Sequence, residues 1–410
     1  MKWLHLSDIH YNPKNDGRST HQLRNKLPRY INDKNINADY LFITGDFRHA
    51  KYQKDDDWTA AEKAVQFILE IADAARINYN NIHVVPGNHD LTRTTDDVGM
   101  RTINRIKQNY NPHEGRFLGT DLPFLSGRFN FYQQLVHELE LQGVPSRYAL
   151  GSARLHSVCE TPDFNLVYLN TCVVSNSDND RGDLIVGNFD LYQCLELLKQ
   201  NSPNKYVIIL AHHGMDNFRP DEKKEVEQLF GDYPIKLYLC GDAHTPWRRS
   251  TNGIMEITMG GLIQGNNVRT VFSVGCIEKG KCLIKAHEWD ADTSRWGEYT
   301  QLNDELRDAL ANWTLDNNLA SDFIHNQLLN NFVEVRKRDK NNISDQAITL
   351  AHKLWDEYGD GIGGIYLLDL ARIRNERAAI EKIYAELSLS SDERIRTIAQ
   401  KWYGKWGKIG

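Results

Sequence analysis

Five short apolar runs in this sequence each end in side chains able to bind a cation or move a proton. Residues 3–6 run into Asp8 and His10, 40–44 into Asp46, 82–85 into Asn88, His89 and Asp90, 206–211 into His212 and His213, and 235–240 into Asp242 and His244. Any one of these has a plain structural explanation, since aspartates cap turns and histidines sit satisfied in cores. Five strand ends that all deliver them make a pattern, because open α/β sheets bind ligands just beyond the carboxyl ends of their strands. The donors are carboxylates, imidazoles and one amide, with no thiolate, a set suited to manganese, iron, zinc or nickel. They are too many for one ion. A carboxylate has two oxygens and can bridge, so two cations roughly 3.5 to 4 Å apart are the economical arrangement, and such a pair clamps the attacking and leaving oxygens of an in-line displacement at phosphorus. Hydrolysis of a phosphate ester is the chemistry this pattern predicts.

The elements that must position these groups alternate between strand and helix. Residues 18–31 read as helical around Pro28. Between 58 and 75, Ala61, Ala64, Val65, Ile68, Ile71, Ala72 and Ala75 mark one helix face, with Asp55, Asp56 and Asp57 suited to its positive end. Strand, helix, strand, helix, strand implies crossover connections and a parallel sheet. Pro86-Gly87 cannot continue a ladder and puts Asn88, His89 and Asp90 on a tight turn. Along extended backbone Asp8 and His10, two apart, would point the same way. Further strands are expected at 166–169, and at 254–259, 268–274 and 282–287 as an antiparallel continuation of a second sheet, followed by a polar linker at 289–299. The stretch 91–145 mixes arginines with aromatics, either a cap that grips substrate or a helical excursion with its own aromatic core.

Beyond residue 300 helical spacing dominates, at 315–335, 344–358, 365–387 and 391–406, with Ser344 and Ser391 or Asp392 as N-caps. The glycine-rich 359–364 follows no strand, so it reads as a helix–helix turn rather than a phosphate loop. The basic residues Arg336 to Arg338 and the 401–408 tail suit a nucleic-acid or protein partner, or a solvated face.

A formal net charge of -6 over 410 residues argues against a general nucleic-acid coat and leaves room for a local basic groove. Six cysteines without a CxxC pair read as reduced core thiols. No apolar run reaches the roughly 18 to 20 residues of a membrane span, and the first residues lack a signal-peptide pattern, so the expected location is the cytoplasm with no membrane partner.

Taken in order, Asp8-Ile9-His10, Gly45-Asp46-Phe47-Arg48-His49, Gly87-Asn88-His89-Asp90, Ala211-His212-His213 and Gly241-Asp242-Ala243-His244 resemble the motifs of the calcineurin-like metallophosphoesterase superfamily. The resemblance covers residues 1–290 and implies an α/β fold, a four-layer α/β/β/α sandwich, with the 91–145 insertion and a helical accessory region over 300–410. It implies that Asp8, His10, Asp46 and His244 hold one divalent metal and Asp46, Asn88, His212 and Asp242 a second, manganese first among the candidates. It also implies that Asp46 bridges, that a metal-bridging hydroxide attacks phosphorus, and that His89, oriented by Asp90, stabilises the transition state or protonates the leaving oxygen. His212 rather than His213 is the ligand if the preceding strand aligns as in the family.

Two positions depart from the pattern. His49 stands where the second motif has Asp, and Asp242 replaces the first His of the last motif. Asp242 either binds as a harder ligand, favouring manganese or iron, or leaves the second site impaired. The superfamily includes phosphoprotein phosphatases, cyclic-nucleotide phosphodiesterases and DNA-repair nucleases, so fold and metals do not select the substrate. The preferred expectation is a phosphodiesterase or nuclease acting on nucleotides or nucleic acid. It rests on the Arg and aromatic content of the insertion and on Trp247-Arg248-Arg249, with Arg93, Arg248, His49 and His213 as candidate substrate contacts. The alternatives are a phosphomonoesterase on a phosphoprotein or small molecule, and a signalling subunit whose C-terminal helices recruit a protein partner.

Overall fold

The computed structural model describes residues 1–12, 16–49, 58–148, 154–203, 205–251, 253–263, 265, 268–278, 281–300, 328–329, 331–338, 343–357, 360–390 and 393–406. Asp55 to Asp57, most of the expected 315–335 helix, Ser391, Asp392 and the end of the basic tail lie outside them. The chain forms two compact units, Met1–Asp316 and Asn317–Gly410.

The first unit contains two six-stranded sheets. In one, β1 (Lys2–Leu6), β2 (Tyr40–Ile43) and β3 (Ile82–Val84) run parallel, linked by α1 (Arg18–Asp33) and α2 (Trp58–Ala74). The other contains β4 (Ser157–Glu160), β5 (Asn165–Leu169), β6 (Val207–Ala211), β7 (Ile235–Cys240), β8 (Trp247–Thr251) and β9 (Ile254–Thr258) in the order β4-β5-β6-β7-β9-β8. Its crossovers include α6 (Asn188–Asn201) and α7 (Pro220–Gly231).

Alternate residues of the second sheet explain the layering. Leu166, Tyr168, Ile208, Leu210, Leu237 and Leu239 share a core with the first sheet, α1 and α2. Their neighbours Val167, Leu169, Ile209, Tyr238 and Cys240 share one with Leu191, Leu195 and Leu198 of α6 and Val226 and Phe230 of α7. Strands covered on both faces must be apolar at every position, and all five residues of β6 are buried. The arrangement is the expected helix–sheet–sheet–helix sandwich.

The expected continuation of the second sheet is divided between the two. Residues 254–258 pair in parallel with β7, but β10 (Val271–Glu278) pairs antiparallel with β1, placing Leu4 opposite Val274. β11 (Lys281–Asp290) and β12 (Arg295–Glu298) extend the first sheet outward, so the stretch 289–299 is a hairpin and not a linker. Pairing across some 270 residues leaves no local trace in the sequence.

The insertion folds as α3 (Asp97–Asn109), α4 (Leu122–Gly127) and α5 (Asn130–Leu141). It matches neither expectation fully. Phe131, Tyr132, Leu135, Val136 and Leu139 of α5 join the main core, while Ile103 and Ile106 of α3 and Tyr110 just after it pack with Val173, Val174 and Ile185. The joint is polar at one point: the buried Glu222 carboxylate on α7 accepts hydrogen bonds from the Tyr110 hydroxyl, the Val186 and Gly187 N–H groups and the Asn188 amide. Glu222→Ala strands these donors and should cost about 3 kcal/mol, lowering the melting temperature of a unit this size by roughly 4 to 5 °C in a calorimetric scan.

In the second unit, residues 331–338 are helical and are followed by helices Asp345–His352, Gly361–Ile373, Arg377–Leu387 and Glu393–Trp406. The expected 365–387 helix is two helices, divided where Asn375 takes φ 57°. The glycine-rich segment is not simply a turn: Asp360 caps the N–H groups of Ile362 and Gly363, and the helix begins at Gly361. A Cβ at Gly364 would lie 2.4 Å from the Trp355 ring, so glycine there permits close helix packing. The basic cluster is engaged locally, Lys337 with Glu334, Arg338 with Gln346, and Arg336 over the Tyr366 ring. All six cysteines are free. Among the described residues no helix is long and apolar enough to cross a membrane.

Candidate metal centre

The loops that follow β1, β2, β3, β6 and β7 meet at one edge of the sandwich. Backbone bonds tie them together: Asp8 N–H to Gly45 O at 3.0 Å, His10 N–H to Asp46 O at 2.8 Å, and Gly241 N–H to His212 O at 2.9 Å. Asp8, His10, Asp46, Asp242 and His244 all adopt left-handed backbone, with φ between 46° and 65°. Asp8 and His10 therefore converge by two tight bends and not, as expected, by sharing one side of an extended strand. Each such residue costs on the order of 1 kcal/mol, a strain that persists where surrounding contacts over-determine it. Close approach also needs glycine, since a Cβ on Gly87 would sit 2.0 Å from Asp46 Oδ1.

Two donor clusters result. Asp8, His10, Asp46 and His244 each offer an atom within 4.8 Å of the others, and His212, His213 and Asp242 do the same. In the first, His10 Nε2 lies 2.9 Å from His244 Nε2 and 3.5 Å from Asp46 Oδ2, and His244 Nε2 lies 3.2 Å from Asp8 Oδ1. Asp46 faces both ways, with Oδ1 3.4 Å from His212 Nε2. His213 Nε2 is 3.8 Å and His212 Nε2 4.0 Å from Asp242 Oδ1. His213, expected to touch substrate, thus stands inside the second cluster, its Nδ1 2.9 Å from the Thr171 hydroxyl.

The donor set fits divalent cations. Asp8 Oδ1, Asn88 Oδ1 and His212 Nε2 are buried without a hydrogen-bond partner among the described residues, a costly state for polar atoms unless something else satisfies them. The Thr44 carbonyl lies 2.7 Å from His212 Nδ1 and the Arg48 carbonyl 3.3 Å from His10 Nδ1. A carbonyl only accepts, so each Nδ1 carries a proton and each Nε2 is the nitrogen turned toward the centre. Burial, with Asp8 and Asp46 adding to it against His212, pushes the Asp242 carboxyl up to about 6, the signature of crowded carboxylates lacking a cation. Burial also keeps the neighbouring Cys172 and Cys240 thiols protonated, leaving a set of oxygen and imidazole donors.

Asp90 has a different task from the one expected. Its carboxylate accepts the N–H groups of Asp46, Phe47 and Gly87, each at 2.8 Å, and of Arg48 at 3.3 Å. It pins the Asp46 loop to the Gly87 turn and has no oxygen left to orient the His89 ring. His89 Nε2 lies instead 3.2 Å from Asp178 Oδ1 and 3.8 Å from Asp46 Oδ2. Asp178 comes from the polar loop after β5. Arg48 and the insertion support this wall: Arg48 Nε donates to His89 O at 3.1 Å, its guanidinium lies 4.2 Å from the centre of the Phe131 ring, and the Tyr132 hydroxyl donates to Val84 O.

A cavity of about 320 Å³ opens over the centre, lined by His10, Asp46, His49, Asn88, His89, Asp178, Asp242, His244 and Ile263. His49 lies in this lining, its ring 5.5 Å from that of His89. Arg93 reaches the rim, 2.6 Å from Asp178 and 3.5 Å from Asn88 O. Arg248 does not line the cavity. It is exposed on β8, where strand alternation turns it away from its neighbours Trp247 and Arg249.

The sequence profile of the calcineurin-like phosphoesterases matches residues 1–246, and the chain belongs to that family. It is 25% identical over 333 residues to the uncharacterised metallophosphoesterase-like protein YydB of Bacillus subtilis (strain 168), a match covering 77% of this chain and 65% of that protein. The chain thus spans less than two thirds of this curated relative. Among solved structures it is similar to a dimetal phosphatase from Danio rerio (13% identity, 70% of this chain and 95% of that one, TM-score 0.42). It is also similar to the zinc complex of Vps29 from Entamoeba histolytica (10% identity, 73% and 98%, TM-score 0.31).

Proposed function

We propose that this protein is a metal-dependent hydrolase of phosphate esters that uses two divalent cations, manganese foremost and iron, zinc or nickel as alternatives. The observation that carries the reading is the convergence of carboxylates and imidazoles from five strand ends, three of them on strained backbone, with three buried donor atoms left without a hydrogen-bond partner among the described residues. Asp8, His10, Asp46 and His244 would hold one ion, and Asp46, Asn88, His212 and Asp242 the other, with His213 at hand. Such a pair supplies Lewis acidity toward the phosphoryl oxygens and an activated water.

The chain's own residues do the rest. Asp46, fixed by its backbone and by the His89 N–H on Oδ1, keeps the two clusters at one spacing. His89 directs Nε2 into the cavity, where it can hydrogen-bond an oxygen on phosphorus or give a proton to the leaving oxygen. Asp90 holds the loops that carry both residues.

Within this reading we favour a phosphodiester, of a nucleotide or nucleic acid, over a monoester. Asp178 adds a fourth carboxylate to a cavity already lined by Asp46 and Asp242 beside Asp8, and that field opposes a dianionic monoester more than a monoanionic diester. Arginines of the insertion support it less than the sequence suggests, because Arg105 pairs with Asp121, Arg116 stacks on Phe189 and Arg128 is buried against the Thr92 and Val173 carbonyls. The test is metal analysis followed by assays on bis-nitrophenyl phosphate, nitrophenyl phosphate, single-stranded DNA, RNA and cyclic nucleotides. Two ions per chain and faster diester turnover are expected. Two bound ions with no hydrolysis of any member would refute the enzyme reading.

Asp242→Asn tests the second cluster. Retaining volume but losing charge, it should lower metal content from two ions toward one by elemental analysis and reduce turnover at least tenfold. Unchanged stoichiometry would remove Asp242 from the ligand set.

A further inference from the structure

The cavity holds one carboxylate that ester hydrolysis does not require. Asp178 Oδ1 lies between His89 Nε2, at 3.2 Å, and Arg93 Nη2, at 2.6 Å. The turn behind it is built to deliver it there. Asp180 accepts the N–H groups of Asn176 and Ser177 and the Ser175 hydroxyl. Asn176 Oδ1 accepts the Thr94 N–H at 2.8 Å and an N–H of the buried Arg128 at 3.1 Å. The Asp178 side chain itself is 63% exposed, so it can withdraw into water by rotating its own bonds while the turn stays in place.

An imidazole and a guanidinium that share one anionic oxygen form a recognition pair for a phosphate as much as for a carboxylate. The same His89 nitrogen also faces Asp46, and therefore the metal centre. The geometry points to Asp178 as the residue that sets the affinity and charge preference of the site: its carboxylate occupies a phosphate-oxygen position between His89 and Arg93, and substrate must displace it. This inference rests on the phosphoesterase reading above.

Two consequences follow from the chemistry. A docked internal competitor multiplies the apparent affinity by the undocked fraction, so occupancy nine-tenths of the time weakens binding about tenfold. Once displaced, the carboxylate still repels nearby negative charge, more for a dianion than for a monoanion. Asp178 therefore favours diesters and hastens loss of the dianionic product of their hydrolysis.

Asp178→Asn and Asp178→Ala in the full, metal-loaded chain test this by calorimetric titration with inorganic phosphate, which needs no turnover. Phosphate should bind both variants roughly 3- to 30-fold more tightly than the parent protein. KM for nitrophenyl phosphate should fall by a similar factor and KM for bis-nitrophenyl phosphate by less. Equal or weaker phosphate binding, or none to any of the proteins, overturns the inference, as does a fall in kcat with KM and phosphate affinity unchanged, which would make Asp178 an orienting partner of His89. A parent protein that hydrolyses no phosphate ester while its Asp178 variants bind phosphate more tightly refutes the enzymatic reading alone.

Discussion

Asp46→Asn should abolish turnover of bis-nitrophenyl phosphate, by about a thousandfold or more, and leave fewer than two ions per chain by elemental analysis. Among the described residues no other side chain serves both clusters: Oδ2 faces His10 Nε2 at 3.5 Å and Oδ1 faces His212 Nε2 at 3.4 Å. Burial opposes ionisation there, yet His212, His89 and His10 together hold the Asp46 carboxyl below the usual carboxylate range. Asparagine keeps the shape and forfeits the charge and one acceptor, and its NH2 group must then point at a lone-pair nitrogen in one cluster or displace the His89 N–H in the other. Because Asp46 is also anchored through its own N–H to Asp90, the loop should survive the substitution, and the melting temperature of the metal-free protein should shift by only a few degrees. A variant that retained both ions and half its activity would show that the two clusters are not joined through this carboxylate.

The site was largely legible in sequence because its donors stand one to five residues beyond apolar strands whose type is plain. Parallel strands buried on both faces advertise themselves as unbroken apolar runs, and Pro86-Gly87 marks the turn that exposes Asn88 and His89. What sequence could not supply was relation between distant segments. Asp178 lies 89 residues from His89 in an Asp- and Asn-rich loop that looks solvated, and only the fold brings the two within 3.2 Å. The family resemblance implies that Asp90 orients His89, whereas the turn sends the two side chains to different tasks. The pairing of β10 with β1 is equally non-local. The place of α5 in the main core was within reach, since Phe131, Tyr132, Leu135, Val136 and Leu139 have the spacing of one helix face.

His89→Ala separates binding of the ions from the chemistry. His89 belongs to neither donor cluster, and its backbone N–H and O, not its ring, make the bonds to Asp46 Oδ1 and Arg48 Nε. Both of these survive truncation, so the metal content should remain at two. The ring, 12% exposed at the cavity wall, places Nε2 where a leaving or non-bridging oxygen would lie. Losing a positioned proton donor costs about a hundredfold to ten-thousandfold in kcat. The loss should be smaller for esters of acidic alcohols such as nitrophenol, which leave without protonation, than for a dinucleotide whose leaving group is an alkoxide. Comparing the two substrates in the parent protein and the variant, with elemental analysis of the same samples, distinguishes a proton donor from a general electrostatic role: equal losses on both substrates would assign His89 to charge stabilisation alone, and loss of the ions would make it a ligand.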